Sequence, residues 1–146
     1  MMKFLLPLSV FLTTVVSLMG GDGPPPVTYV DHEKVAAALA SGGVLVKAPD
    51  LIVSCSHRTG PGKVELHVKE TDVFHVLEGE ATFVTGGTMA GAKETGPGQQ
   101  LGTDIQGGQV HHLTKGDVIV IPAGTPHWFK EIPHSITYYV VKVVKP

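Results

Sequence analysis

Two short segments contain the side chains that could perform chemistry. The first, between Gly62 and Gly79, includes GKVELH and then ETDVFHVLEG. The second, between Gly116 and His127, reads GDVIVIPAGTPH. Imidazoles and carboxylates are the side chains that bind divalent metals and transfer protons, so metal or acid–base chemistry is expected here.

Other common chemistries find no support in the sequence. Ser54 and Ser56 lack a glycine elbow, and no G-x-S-x-G motif occurs. The glycines between residues 86 and 108 do not lead into a helix, which excludes a P-loop or dinucleotide fingerprint. The chain has 11 basic and 13 acidic residues and no basic run, so nucleic acid is not an expected partner.

The elements that must position these side chains are mostly short strands separated by Gly and Pro. Such a pattern favours an all-β sandwich or barrel. One short helix is predicted near the N-terminus, capped by Asp31 and ended by Gly42 and Gly43. The predicted strands cover residues 44–47, 51–56, 63–69, 72–78, 80–85, 109–113, 117–121, 127–131 and 135–144.

The strand at 63–69 alternates strictly. Val64, Leu66 and Val68 point one way, whereas Glu65, His67 and Lys69 point the other. If the polar face looks into a barrel, another sheet, the helix or a second subunit must cover the apolar face. Similar valines near the C-terminus, at 141, 143 and 144, favour a homodimer.

A glycine-rich stretch interrupts the strands. Residues 86–108 contain eight glycines in 23 positions, which favours a long loop. Such a loop could be a lid over a cavity mouth or an insertion without function.

The second segment resembles the cupin superfamily, whose second motif reads G-x5-P-x-G-x2-H-x3-N. Gly116, Pro122, Gly124 and His127 match it, and only Glu131 departs, at the Asn position.

The first segment resembles the other cupin motif, G-x5-H-x-H-x3-4-E-x6-G, in part. His67 stands at the second His, Asp72 at the Glu and Gly79 at the closing Gly, whereas Glu65 replaces the first His. The spacing back to the leading glycine also differs. The two motifs together cover residues 60–131.

The resemblance implies a cupin double-stranded β-helix, a jelly-roll barrel, with one divalent transition metal per chain. His67, His127 and Asp72 would be the ligands, with Glu65 a fourth ligand or a catalytic base. Three alternatives stay open: His57 could replace Glu65 in the shell, Asp72 could orient an imidazole instead, and the barrel could hold no metal.

The function implied is a metal-dependent oxidoreductase acting on an extracellular carbohydrate or other organic substrate. Copper is favoured, and zinc, manganese or iron are possible. The alternative is a non-catalytic module that binds a sugar or small molecule.

The remaining histidines and the tryptophan are expected to lie elsewhere. His75 should point outward, only one of His111 and His112 can face inward, and His32 and His134 should be solvated. Trp128 should point opposite His127, either buried or free to stack on a sugar.

The N-terminal residues resemble the signal peptide of an exported protein. Lys3 precedes an apolar run that ends near Gly20, which predicts a signal peptide over 1–20, no membrane attachment after cleavage, and a secreted or periplasmic domain. Residues 21–43 form the leader and helix, and 44–146 the barrel. Cys55, the only cysteine, is expected to be buried.

Overall fold

A computed structural model describes residues 23–146 as a strongly curved antiparallel β-structure with one short helix. The predicted signal peptide at 1–20 lies outside the described residues. In residues 23–146, no helix has the length and apolarity to cross a membrane. The elements are α1 His32–Ser41, β1 Gly43–Lys47, β2 Leu51–Arg58, β3 Val64–His67, β4 Glu70–Thr85, β5 Thr88–Ala90, β6 Lys93–Gly96, β7 Gln99–Gly102, β8 Asp104–Gln106, β9 Gln109–Thr114, β10 Val118–Ile121, β11 His127–Glu131 and β12 Ile136–Val144.

The helix begins and ends where the sequence predicts. The Asp31 side chain accepts a hydrogen bond from the Lys34 backbone N–H at 2.9 Å, and Gly42 ends the helix with a φ of 80°. Helix α1 packs on β1 and β2. Cys55 on β2 is 2% exposed, which confirms the expected burial.

Strand β4 joins the two faces of the barrel. Its first part pairs with β12 and β10, and its last part pairs with β9 and β11. Gly79, with a φ of 81°, lies where the two parts meet. A Cβ there would run into the Ser135 carbonyl oxygen. The closing glycine of the first motif is therefore required for this bend.

Replacing Gly79 with alanine should lower the free energy of unfolding by about 2 kcal/mol, since both the positive φ and the clash disfavour a side chain. Urea unfolding gives the measurement. Gly86→Ala is the matched control, because Gly86 has a φ of 73° but open space around its Cβ position. It should cost only about 1 kcal/mol. Equal losses in the two variants would contradict the role of the Ser135 contact.

Strand pairing aligns residues of β2, β12, β4 and β10 in rows that run across the sheet. Facing residues in paired strands share one side of the sheet. The inner row consists of Ile52, Lys142, Asp72 and Ile121. The neighbouring outer row consists of Val53, Val141, Val73 and Val120. Of the outward valines, Val120 is 57% exposed and Val143 46%, so the homodimer stays a prediction that this surface permits.

The glycine-rich stretch is not a long loop, contrary to the sequence-based expectation. It contains four short strands, β5 to β8; β7 pairs with β3 and β6, and β5 pairs with β8. Glycines with positive φ occupy the turns, at 91, 98 and 107. The glycines therefore allow tight turns between strands instead of preventing strands.

These added strands cover Val64 on the apolar side of β3, whereas Val68 lies beyond the end of the strand and is 50% exposed. Val64 is fully buried with Val84 and Ile105, and Met89 and Trp128 pack against this cluster. Ile105 and Met89 come from the glycine-rich segment. The main core lies inside the barrel and is built around Phe74, Phe83, Phe129 and Tyr138.

Candidate metal centre

Strand pairing brings the two sequence segments together. Glu65 and His67 share one face of β3, and Glu65 lies directly opposite His127 of β11. The imidazole rings of His67 and His127 have centroids 5.1 Å apart. The structure thus places the two histidines side by side, as the motif resemblance implies.

The Nε2 atoms of both histidines face the same buried space. Neither atom has a hydrogen-bond partner among the described residues. His67 is 9% exposed and His127 4%. A buried polar atom without a partner is costly, so two of them side by side point to a missing ligand.

The Nδ1 atoms of both imidazoles form hydrogen bonds on the side away from the site. Nδ1 of His127 donates to the Thr125 carbonyl oxygen at 3.1 Å. Nδ1 of His67 donates to Oε1 of Gln99, whose amide donates to Glu70 at 3.1 Å. This arrangement leaves each Nε2 with a lone pair toward the site, as in metal-binding histidines.

Asp72 completes the cluster from the inner row of β4. Its Oδ2 atom lies 3.5 Å from Nε2 of His67 and 3.7 Å from Nε2 of His127. Two atoms bound to one ion at about 2.1 Å each lie roughly 3.0–3.4 Å apart. The two distances from Asp72 exceed this range by only a few tenths of an ångström, so the carboxylate could share a cation with either imidazole after small adjustments.

Glu65 is close to the same histidines. Its Oε2 atom lies 3.6 Å from Nε2 of His67, and its Oε1 atom accepts a hydrogen bond from Arg58 at 3.2 Å. Glu65, His67 and His127 have ligand atoms within 4.8 Å of one another. Glu65 therefore has the position of a fourth donor.

The pKa values follow from these contacts. Burial alone would raise the pKa of Glu65, but the neighbouring His67, His127 and Arg58 side chains outweigh it and lower the pKa to about 2. Burial lowers the pKa of His127. For His67, burial is outweighed by Glu65 and Asp72, and the pKa is raised. An ionised Glu65 suits metal binding better than proton abstraction at neutral pH.

His57 does not reach the cluster. Its imidazole is exposed on the outer side of β2, where Nδ1 lies 2.8 Å from the Thr137 hydroxyl. Its neighbour Arg58 points inward and contacts Glu65. The alternative in which His57 completes the shell is therefore wrong, for reasons of strand parity.

The sequence alone does not identify two residues that contact the cluster, Lys142 and Gln99. The Lys142 ammonium lies 2.8 and 2.9 Å from the two Asp72 oxygens and 3.1 Å from Glu70. Gln99 holds His67. Both contacts depend on strand register, and Gln99 falls in the segment expected to be a loop.

His75, His111, His112 and Trp128 make their contacts outside the cluster. His75 is exposed, as predicted. His111 points inward and contacts the Thr85 hydroxyl at 2.8 Å, while His112 is exposed and pairs with Glu80. The Trp128 indole N–H donates to the Gly62 carbonyl at 2.8 Å, and the ring packs on the cluster of Val64, Val84 and Ile105.

A small cavity of about 110 Å³ opens beside the cluster. Its walls mix cations, hydroxyls and aromatic rings, and both His127 and Glu65 contribute to them. The lining residues are Ser54, Ser56, Arg58, Lys63, Glu65, Phe74, His127, Phe129, Tyr138, Val140 and Lys142. The cavity is several times larger than the roughly 10–15 Å³ that one water needs.

Replacing Gln99 with leucine should weaken Zn²⁺ binding by about tenfold, because His67 loses the acceptor that orients it. Isothermal titration of the metal-free protein measures the affinity. Gln100→Leu on the same strand is the control. Equal affinities for Gln99→Leu and wild type would contradict the orienting role.

Comparisons with known proteins identify the family of this chain. The cupin family model matches residues 27–146. No curated protein matches the chain.

Several solved structures resemble the fold of this chain. BH2720 from Bacillus halodurans shares 16% identity over 86% of each chain, with a TM-score of 0.57. The Cnp3 cupin domain from Schizosaccharomyces pombe shares 13% identity over 71% of this chain, which spans only 60% of that one, with a TM-score of 0.51. A cupin superfamily protein from Desulfitobacterium hafniense has 17% identity over 72% of this chain and 77% of its own, and a TM-score of 0.49.

At these identities, the two similarities with TM-scores above 0.5 support the fold alone. The family match covers most of the chain and includes both motifs and the strands that position His67, Asp72 and His127. This chain belongs to the cupin family.

Proposed function

We propose that this protein is an exported metal-dependent enzyme whose metal is held by His67, His127 and Asp72, with Glu65 as a further ligand. The observation that carries the proposal is the pair of buried Nε2 atoms without partners, facing the Asp72 carboxylate. In a metal-free interior, both nitrogens would need ordered water as their partner. Export rests on the composition of residues 1–20.

Copper is the favoured metal, and zinc, manganese or iron could also bind this donor set. Two imidazoles and one or two carboxylates leave coordination positions open. Bound there, the metal would supply Lewis-acid or redox chemistry for an oxidation. The protein's own residues hold the ligands: Gln99 and Thr125 fix the imidazoles, and Arg58 fixes Glu65.

The cavity favours a small anionic substrate, such as an organic acid. Three cations line it, Arg58, Lys63 and Lys142. The carboxylates of Glu65, Asp72 and Glu70 balance these charges, so a bound divalent ion would leave an excess of positive charge. An anion at an open metal position would compensate this excess.

A carbohydrate is less well supported as the substrate. The volume of about 110 Å³ is small for a sugar chain. Trp128, the one residue expected to stack on a sugar, is partly buried against Val64, Val84 and Ile105. We therefore favour a small organic acid over a polysaccharide.

Metal content is the first test. Protein purified without an affinity tag should contain about one equivalent of a transition metal, copper most of all. Elemental analysis measures it. Less than about a tenth of an equivalent, also after incubation with Cu²⁺, Zn²⁺, Mn²⁺ and Fe²⁺, would contradict the proposal.

Turnover is the second test. Oxygen uptake by the copper-loaded protein, measured with a panel of small organic acids and with neutral sugars, should occur with acids. Ligand-dependent thermal stabilisation without oxygen uptake or product formation would favour the non-catalytic binding module instead.

A further inference from the structure

Lys142 occupies a position inside the barrel that few lysines have. On β12 it is the direct cross-strand partner of Asp72 in the inner row. The Lys142 side chain is 21% exposed, whereas that of Asp72 is 2% exposed. The ammonium bonds both Asp72 oxygens at 2.8 and 2.9 Å and lies 3.1 Å from Glu70.

One of those contacts is shared with the candidate metal centre. The Oδ2 atom of Asp72 that accepts from Lys142 is the same atom that lies 3.5 and 3.7 Å from the two free imidazole nitrogens. A divalent cation at the imidazoles and the ammonium of Lys142 therefore compete for one carboxylate.

We propose that Lys142 is a built-in competitor for the metal, which stabilises the metal-free protein and weakens binding of a divalent cation. This inference rests on the metal site proposed above. Without metal, Lys142 neutralises Asp72 and Glu70, two carboxylates that the chain packs close together. With metal, the same ammonium repels the incoming ion and withdraws electron density from its carboxylate ligand.

Lys142 should raise the stability of the metal-free protein and lower its affinity for metal. Removing a merely structural lysine would destabilise the metal-free and the metal-bound protein alike and would not improve metal affinity. Removing a competitor destabilises the metal-free protein, because buried carboxylates lose their counter-ion, yet it strengthens metal binding. The sign of the affinity change therefore separates the two roles.

The role also fits a departure from the family motif. Asp72 is one methylene shorter than the Glu at the matching cupin position, and Lys142 bridges it to Glu70. The neighbouring acid gives Lys142 a second anchor, so the ammonium need not leave the site entirely when a metal takes part of Asp72.

The experiment compares wild type with Lys142→Met, using the tag-free chain, EDTA treatment and Zn²⁺ as the probe. Isothermal titration should show about tenfold tighter Zn²⁺ binding in the variant, because a like charge beside the ion is removed. Thermal unfolding should show a lower Tm without Zn²⁺ and a larger rise on its addition. Lys115→Met is the matched control, since it removes an exposed lysine paired with Glu78.

Unchanged or weaker Zn²⁺ binding in Lys142→Met, with Lys115→Met like wild type, would overturn the inference and leave the proposed metal site intact. No Zn²⁺ binding by any of the proteins would overturn both. Should Lys142→Met fail to fold without metal, Lys142→Gln keeps a neutral donor for Asp72 and should likewise bind Zn²⁺ more tightly than wild type.

Discussion

Replacing His127 with alanine is expected to lower Zn²⁺ affinity by at least about 100-fold, so that the purified protein contains almost no metal. The substitution removes one of the two buried nitrogens without partners. Loss of a residue that only orients a ligand already costs about 10–100-fold, and loss of the ligand itself should cost more. Elemental analysis and isothermal titration give the two measurements.

His75→Ala is the control for this prediction. His75 lies on β4 only three residues from Asp72, but its side chain is exposed on the outer face. It should leave the metal content unchanged. Thermal unfolding in EDTA establishes that His127→Ala is folded, and a folded His127→Ala protein that retains a full equivalent of metal would contradict the proposed ligand set.

Much of the fold follows from local sequence patterns. Asp31 and Gly42 bracket the only helix in the described residues, and the strands after residue 108 lie within a residue or two of the predicted bounds. Such elements depend on capping, alternation and turn residues, which are local properties of the chain. The second cupin motif adds His127, at the start of β11 as its spacing implies.

The contacts that the sequence did not predict are those between strands far apart in the chain. Lys142 meets Asp72 because β12 pairs with β4 in one particular register, which the alternation of either strand alone leaves undetermined. Gln99 reaches His67 because β7 pairs with β3. The composition of residues 86–108 favoured a loop, since the glycines in the turns between its short strands dominated the pattern.

The contacts of Glu65 make the stability of the metal-free protein depend on pH in a specific direction. Although burial opposes it, the contacts of Glu65 lower its pKa from an ordinary 4.5 to about 2 in the folded state. A lowered pKa stabilises the fold above the unfolded value, and the contribution disappears as the pH falls toward the folded value. Glu65 should contribute up to about 3 kcal/mol at pH 6 and lose about 2 kcal/mol of it by pH 3.

Urea unfolding in EDTA at pH 6, 4 and 3 tests this prediction by comparing wild type with Glu65→Gln. The difference between them isolates Glu65 from the other carboxylates, and it should shrink steadily as the pH is lowered. Glu94→Gln, on the exposed strand β6, is the control and should show no such trend. A difference in the free energy of unfolding that stays constant from pH 6 to 3 would mean that Arg58 and the two histidines do not hold this carboxylate in its ionised form. Such a result would contradict the assignment of Glu65 as the fourth donor.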